Sequence, residues 1–168
     1  MITSQLSDFV DMDNPQAVLE EVLFLLADVF PGTDYSDLER VHADILKLFQ
    51  GRYPGFQACN TYFHDFKHTS DCLLAMIRLI HGAMSTDMVF QQRDVLLSLI
   101  TAMMHDTGYV QHEGDHLGTG AKFTLTHVQR SIDFMETYYH LTGYSRDDFL
   151  FSKAILLCTG LDVNLDKV

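Results

Sequence analysis

Cysteine is scarce and poorly placed for cross-linking. Cys59, Cys72 and Cys158 are odd in number, widely separated and form no C-x-x-C pair. That excludes a disulfide framework and points to reduced thiols in a cytoplasmic protein. Long apolar runs are missing as well. The most apolar stretches, "AVLEEVLFLLADVF" and "DVLLSLITAMM", are broken by charges or hydroxyls, so no membrane span is expected. The opening stretch "MITSQLSDFVDMDN" has no basic residue and no apolar core, and nothing in it marks the chain for export. Positive charge is in short supply. The 11 Lys and Arg face 23 Asp and Glu, giving a formal net charge of −12. No nucleic-acid partner is expected, because affinity for a phosphate backbone rests on Lys and Arg. If the substrate carries phosphate, a bound cation must do much of the neutralising. Internal repeats, low-complexity tracts and two-residue hairpin signals are absent too.

What remains reads as helix. A chain of 168 residues is long enough for one domain with a real core, here residues 1–168. "DNPQAVLEEVLFLLADVFPG" offers Asn14 as N-cap, Pro15 at the first helical position and Pro31-Gly32 as a stop. "SDLERVHADILKLFQG" opens with Ser36 and Glu39 at capping-box spacing and closes at Gly51. A Gly/Pro-containing loop leads to a helix from Asp65 to Ile80 or Met84. The next is expected to start at Ser85 or Thr86 and end near Gly108. "VQHEGDHLGTG" reads as loop because of its glycines. "FTLTHVQRSIDFMETYYHLTG" and "SRDDFLFSKAILLCTG" supply the last two helices. The expectation is one all-α domain of about six or seven helices, with N-terminal helices in residues 1–60 and a functional core in 61–168.

Several polar residues fall at the ends of stripes expected to face that core. Stepping back along the helix from Asp106 gives Met103, Ala102, Leu99 and Val95. Stepping forward from His68 gives Cys72, Ala75 and Leu79, and stepping back from Asp162 gives Cys158, Ile155 and Phe151. Gly160 could end that last helix before Asp162. A buried carboxylate is costly unless it is paired or bound to metal. For any one of these residues alone, a cap or a surface position is the simpler account, and His105 lies on the more polar stripe of Asp94, Ser98 and Thr101. Together, a His, a His-Asp dipeptide at a helix end and a distant Asp are what one divalent metal gathered from three helices requires. His42, His81 and His140 fall on polar helix faces or ends and are assigned no chemistry.

"YFHDFKHTSDCLL", "LLSLITAMMHDTGY" and the distant Asp162 resemble the HD superfamily of metal-dependent phosphohydrolases, over a span from Tyr62 to Asp162. Within it, the first segment is most similar to the Y-H-N-x-x-H-x-x-D segment of class I cyclic-nucleotide phosphodiesterases. The resemblance implies an HD-type helical bundle. His64 would be the general acid, and His68, His105, Asp106 and Asp162 the ligands of a divalent metal. One or two ions (Mn, Mg, Zn or Fe) are expected, with Asp106 bridging toward the second. Asp65 stands where the family has Asn, and Asp166 competes with Asp162. Those phosphodiesterases recognise the base with helices that follow the final Asp, whereas only "VNLDKV" follows Asp162 here. Either this is a piece of a longer protein or the pocket is built differently. Other branches place a further His between the pair and the final Asp, and His127, with Ser131 one turn on, is the candidate second-metal ligand. The H-D-x-G-K signature of the cyclic-di-GMP branch is not met, because Tyr109 replaces its Lys.

"HEGDH", His112 to His116, matches the zinc-protease pattern H-E-x-x-H, but that chemistry needs both His on one face of a stable helix. Gly114, Gly118 and Gly120 favour a loop at the mouth of the metal site instead. The expected activity is hydrolysis of a small-molecule nucleotide or cyclic-nucleotide-type phosphoester by a metal-activated water, with His64 protonating the leaving group. Lys67, Lys122 and Arg130 are candidates to hold outer phosphate oxygens. The alternatives are a non-catalytic signalling or interaction module and a di-iron oxygenase using the same ligands. The oligomeric state is left open.

Overall fold

A computed structural model describes residues 10–160. The described chain is all-helical: α1 (Pro15–Val29), α2 (Ser36–Phe49), α3 (Phe66–Met84), α4 (Gln92–Met104), α5 (His127–Thr142) and α6 (Arg146–Leu157). Two short 3₁₀ turns, Thr107–Tyr109 and Gly120–Phe123, link α4 to α5. No described helix is long and apolar enough to cross a membrane.

The helices pack as their apolar spacing dictates. In α1, Val18, Val22 and Leu26 are fully buried, and in α2 Leu38, Val41, Ile45 and Leu48 form the matching stripe. The buried face of α3 is Phe66, Thr69, Ser70, Leu73, Leu74 and Ile77. It packs on both α1 and α4, while α5 lies on the turn after α4. The N-terminal helices and the later ones therefore share one core.

Asn14 caps α1 as expected, its side chain accepting from the backbone of Gln16 and Ala17. Ser145 and Asp148 form a capping box at the start of α6. Three expectations are corrected. Ser36 is the first residue of α2 rather than its cap; its backbone N–H is held by Asp34 Oδ1 at 2.9 Å. Helix α4 starts at Gln92 rather than Ser85, since Asp87 adopts a left-handed φ of 68° that interrupts the helical path. The stripe His68–Cys72–Ala75–Leu79 is not a core face: Leu79 is 75% exposed, and the buried face of α3 lies to one side of it.

His42 is not on a polar face either. It sits in the α2 stripe at 4% exposure, edge-on to Phe66 with ring centroids 5.4 Å apart, and its Nε2 has no hydrogen-bond partner among the described residues. Burial without a partner pushes its pKa down to about 4, from 6.5. The unfolded chain therefore binds more protons at this residue between those values. Folding stability is full above the unfolded pKa and falls as pH drops toward the folded one, by about 3 kcal/mol in all. Urea unfolding at pH 7 and pH 5 tests this. His42→Leu is expected to lose clearly less stability between the two pH values than the parent chain; equal losses would exclude His42 as the responsible group.

Candidate metal centre

Two chain reversals bring the polar residues together. At the first, Phe63 takes a left-handed φ of 76°, unusual for a non-glycine residue. The next turn begins α3, where Asp65 is the N-cap and its carboxylate accepts the backbone N–H of His68 at 2.9 Å. Asp is among the residues that cap a helix start best, which suits Asp65 to this place. His64 lies just before the helix and His68 in its first turn. At the second reversal, His105 closes α4, Asp106 follows, and the chain tightens into the Thr107–Tyr109 turn. Ser131 of α5 clamps that turn: its Oγ donates to the His105 carbonyl at 2.7 Å and accepts from Gly108 N–H at 2.9 Å.

Three imidazoles converge on one atom. Asp106 Oδ2 is 2.7 Å from His64 Nδ1, 3.2 Å from His105 Nε2 and 3.5 Å from His68 Nε2. Asp106 itself is 2% exposed. Cys72, one turn after His68, places its Sγ 3.7 Å from His68 Nε2. Two overlapping groups result, His64–His68–Asp106 and His68–Cys72–His105, each with donor atoms within 4.8 Å of one another. Donors on one tetrahedral ion stand about 3.3 Å apart for N and O and about 3.6 Å for N and S, given bonds of ~2.0–2.1 and ~2.3 Å. The pairs His68–Asp106, His105–Asp106 and Cys72–His68 have such separations. The His64–Asp106 distance is that of a direct hydrogen bond.

Electrostatics favours a cation at this point. His105 Nδ1 is 2.7 Å from the carbonyl of Ala102, which can only accept, so Nδ1 carries a proton. Its Nε2 then meets Asp106 either with a second proton or as a lone pair for a metal. Burial alone would lower the His105 pKa, but hydrogen bonds to Asp106 and Cys72 and the nearby carboxylate charge raise it to about 10. Burial alone would raise that of Asp106, and His105 and His64 hold it below the usual carboxylate range. His68 is lowered by burial, aided by the neighbouring imidazoles. The His105 imidazolium already supplies a positive partner to the carboxylate, and a divalent ion held by these nitrogen, sulfur and oxygen donors would have to displace its Nε2 proton.

Other sequence candidates lie apart. Tyr109, 2% exposed, is sandwiched between His64 (ring centroids 4.2 Å apart) and His127 (4.6 Å). His127 is thus separated from the cluster by a whole ring and does not join the donors; its Nδ1 meets the carbonyl of Thr124 at 2.7 Å. Asp162 and Asp166 lie outside the described residues. Lys67 pairs with Asp71 at 2.9 Å, near His68 but half-exposed. Lys122 is tied to Asp115 Oδ1 at 2.6 Å, and Arg130 spends its guanidinium on the carbonyls of Gly108 and Val110. The "HEGDH" segment is not helical, so its histidines cannot share a helix face. Nor does it stand at the cluster: His112 stacks on Phe56 at 4.6 Å, on the far side of the Thr107–Gly108 turn.

Two cavities flank this region. An open cleft of about 620 Å³, lined by Asn60, Tyr62, Phe63, Lys67 and Asp71, includes His68. A more enclosed, aromatic cavity of about 660 Å³ is lined by Tyr53, Phe56, His112, Phe134 and Tyr138 and touches none of the clustered histidines. Of the two, only the first contains one of the clustered donors.

No family model matches the chain, and neither does a curated protein or a solved structure.

Two contributors escaped the sequence reading. Cys72 was visible as the residue one turn after His68 but passed for a core position. The Asn60 side chain, which donates to Gln111 Oε1 at 2.7 Å and accepts from Gly120 N–H at 2.9 Å, carries no sequence signal, because it joins segments far apart in the chain.

Proposed function

We propose that this chain is a metal-dependent phosphohydrolase of the HD type, similar to phosphodiesterases, acting on a nucleotide or cyclic-nucleotide-type phosphoester. The observation that carries the reading is the convergence of His64, His68 and His105 on the single buried oxygen Asp106 Oδ2. His68, His105 and Asp106 would hold the ion. Bound there, it would polarise a phosphoryl oxygen and lower the pKa of a water. With a net charge of −12 and few basic side chains at the cleft, the ion would also supply most of the positive charge a phosphate needs.

The chain's own groups divide the remaining work. His64 is fixed through Nδ1 by Asp106, which leaves Nε2 as the atom able to hold and deliver a proton. Tyr109 stacks flat on that imidazole and limits its rotation. His105 is oriented by the carbonyl of Ala102, the outer-shell contact that sets the tautomer of a metal-binding imidazole. The open cleft carries two exposed aromatics, Tyr62 and Phe63, beside His68. They are suited to stack on a base.

The test is elemental analysis of the purified chain, followed by a phosphoester screen with Mn, Mg, Zn and Fe. Metal-dependent release of phosphate or of a nucleoside monophosphate is expected. A loaded protein that turns over no phosphoester would replace the enzyme reading with a binding module. A visible iron band together with oxygen consumption would replace it with oxygenase chemistry.

A further inference from the structure

We propose that Cys72 is a ligand of this metal centre and that the resident ion is zinc rather than Mg²⁺ or Mn²⁺. The inference rests on the reading above that the cluster binds a metal, but not on its hydrolysing a phosphoester.

Four observations carry it. Cys72 follows His68 by one helical turn, so both side chains leave α3 on the same side. That side is not the core, which lies along Phe66, Thr69, Ser70, Leu73, Leu74 and Ile77. Cys72 is therefore not a small apolar filler; it is partly exposed, and its sulfur faces two imidazoles. Second, its Sγ is 3.7 Å from His68 Nε2, the separation of two donors on a shared ion, and lies within 4.8 Å of a His105 ring nitrogen.

Third, the other two cysteines are engaged elsewhere. Cys59 Sγ donates to the carbonyl of His64 at 3.2 Å, and Cys158 to that of Ala154 at 3.3 Å. Only Cys72 belongs to a group of potential ligands among the described residues. Fourth, the donors gathered there are nitrogen- and sulfur-rich: the imidazoles of His68 and His105 and the Cys72 thiol, beside one carboxylate whose oxygen His64 hydrogen-bonds. Mg²⁺ demands oxygen donors and keeps much of its water. Imidazole and thiolate suit zinc, and a thiolate contributes nothing toward Mg²⁺ or Mn²⁺.

Coordination requires the thiolate, so zinc uptake would release the Cys72 proton to solvent. His68, Cys72 and His105 then serve as three protein ligands, with Asp106 Oδ2 3.5 and 3.2 Å from the two imidazole nitrogens. His64 stays outside that set, hydrogen-bonded to Asp106.

Cobalt tests this without any activity assay. The full chain, without a histidine tag, is titrated anaerobically with Co²⁺ and followed by absorbance, then with competing Zn²⁺. The parent protein should develop a near-ultraviolet sulfur-to-cobalt charge-transfer band that zinc abolishes. Cys72→Ser should lose that band and bind Zn²⁺ more weakly, by more than the about 10–100-fold cost of removing an outer-shell partner. Its Mn²⁺ affinity should hardly change. Cys59→Ser should keep the band, and circular dichroism verifies that each variant is folded. Cobalt bound to the parent without the sulfur band would overturn the Cys72 assignment and leave the metal centre standing. A band that survives in Cys72→Ser would also overturn it. No cobalt binding by the parent would remove both this inference and the reading beneath it.

Discussion

A His64→Ala protein is expected to keep its metal and lose its turnover, whereas His68→Ala loses both. The two residues are four apart in sequence and lie against the same carboxylate oxygen, yet their distances differ in kind. His68 Nε2 stands 3.5 Å from Asp106 Oδ2, as a second donor to a common ion would, while His64 Nδ1 at 2.7 Å is hydrogen-bonded to it. If the proposed function holds, removing His68 deletes a ligand, so bound metal should fall and activity with it. Removing His64 would then delete a positioned proton donor, which is usually worth about 10²–10⁴-fold in rate. The deficit should shrink on a substrate such as a p-nitrophenyl ester, whose leaving group hardly needs protonation. Metal content and turnover on poor and good leaving groups, measured for both variants, check this. Equal metal loss in the two would make His64 a ligand or a structural residue. Full activity of His64→Ala on a poor leaving group would end its role as an acid.

The second large effect concerns a residue with no side chain. A Cβ at Gly108 would overlap the carbonyl of His127 and the backbone nitrogen of Ser131. Those atoms belong to the first turns of α5, which cannot withdraw without losing the Ser131 clamp on His105 and Gly108. Gly108→Ala is therefore expected to cost about 3 kcal/mol, the upper end for overpacking. That lowers the thermal midpoint by roughly 6–12 °C in a chain of this size. Gly82 provides the contrast. It lies inside α3 with nothing within 4 Å of an added Cβ. Gly82→Ala should raise stability, by up to about 1 kcal/mol. Thermal melts of the two variants beside the parent decide it, and a Gly108→Ala protein as stable as the parent would show that the turn and α5 separate easily.

Most of the helical plan was legible because apolar spacing and caps are local. Asn14-Pro15 marks the start of α1 within two residues of sequence, whereas the capping-box spacing at Ser36 and Glu39 does not cap α2. The start of α4 was not legible. "STDMVF" offers Ser85 and Thr86 as a helix start, but Asp87 turns left-handed and Val89 is 84% exposed, which no local rule reveals. The burial of His42 could have been read, since it falls between Leu38 and Ile45 on the stripe that α2 buries. Of the site, Asp106 was correctly placed at the end of a buried stripe: Val95, Leu99, Ala102 and Met103 are all interior. The position of His127 was out of reach, because its separation from the cluster depends on the ring of Tyr109 standing between them. The likeness to the HD superfamily rests on residue types and their order in the sequence.

Phe63 adds a consequence of a different sort. Its ring lies over His68, with centroids 4.6 Å apart and the planes tilted by 35°, while the residue remains 64% exposed. One face of the ring meets the imidazole and the other meets water. How tightly an ion is held and how quickly it comes and goes are separate quantities, and Phe63 bears on the second. It donates no electron pair, so shortening it should leave the equilibrium constant nearly where it was. If an ion reaches His68 from the cleft that Phe63 lines beside it, arrival and escape would both quicken. A chelator would then strip the shortened variant in less time than the parent, from the same starting occupancy.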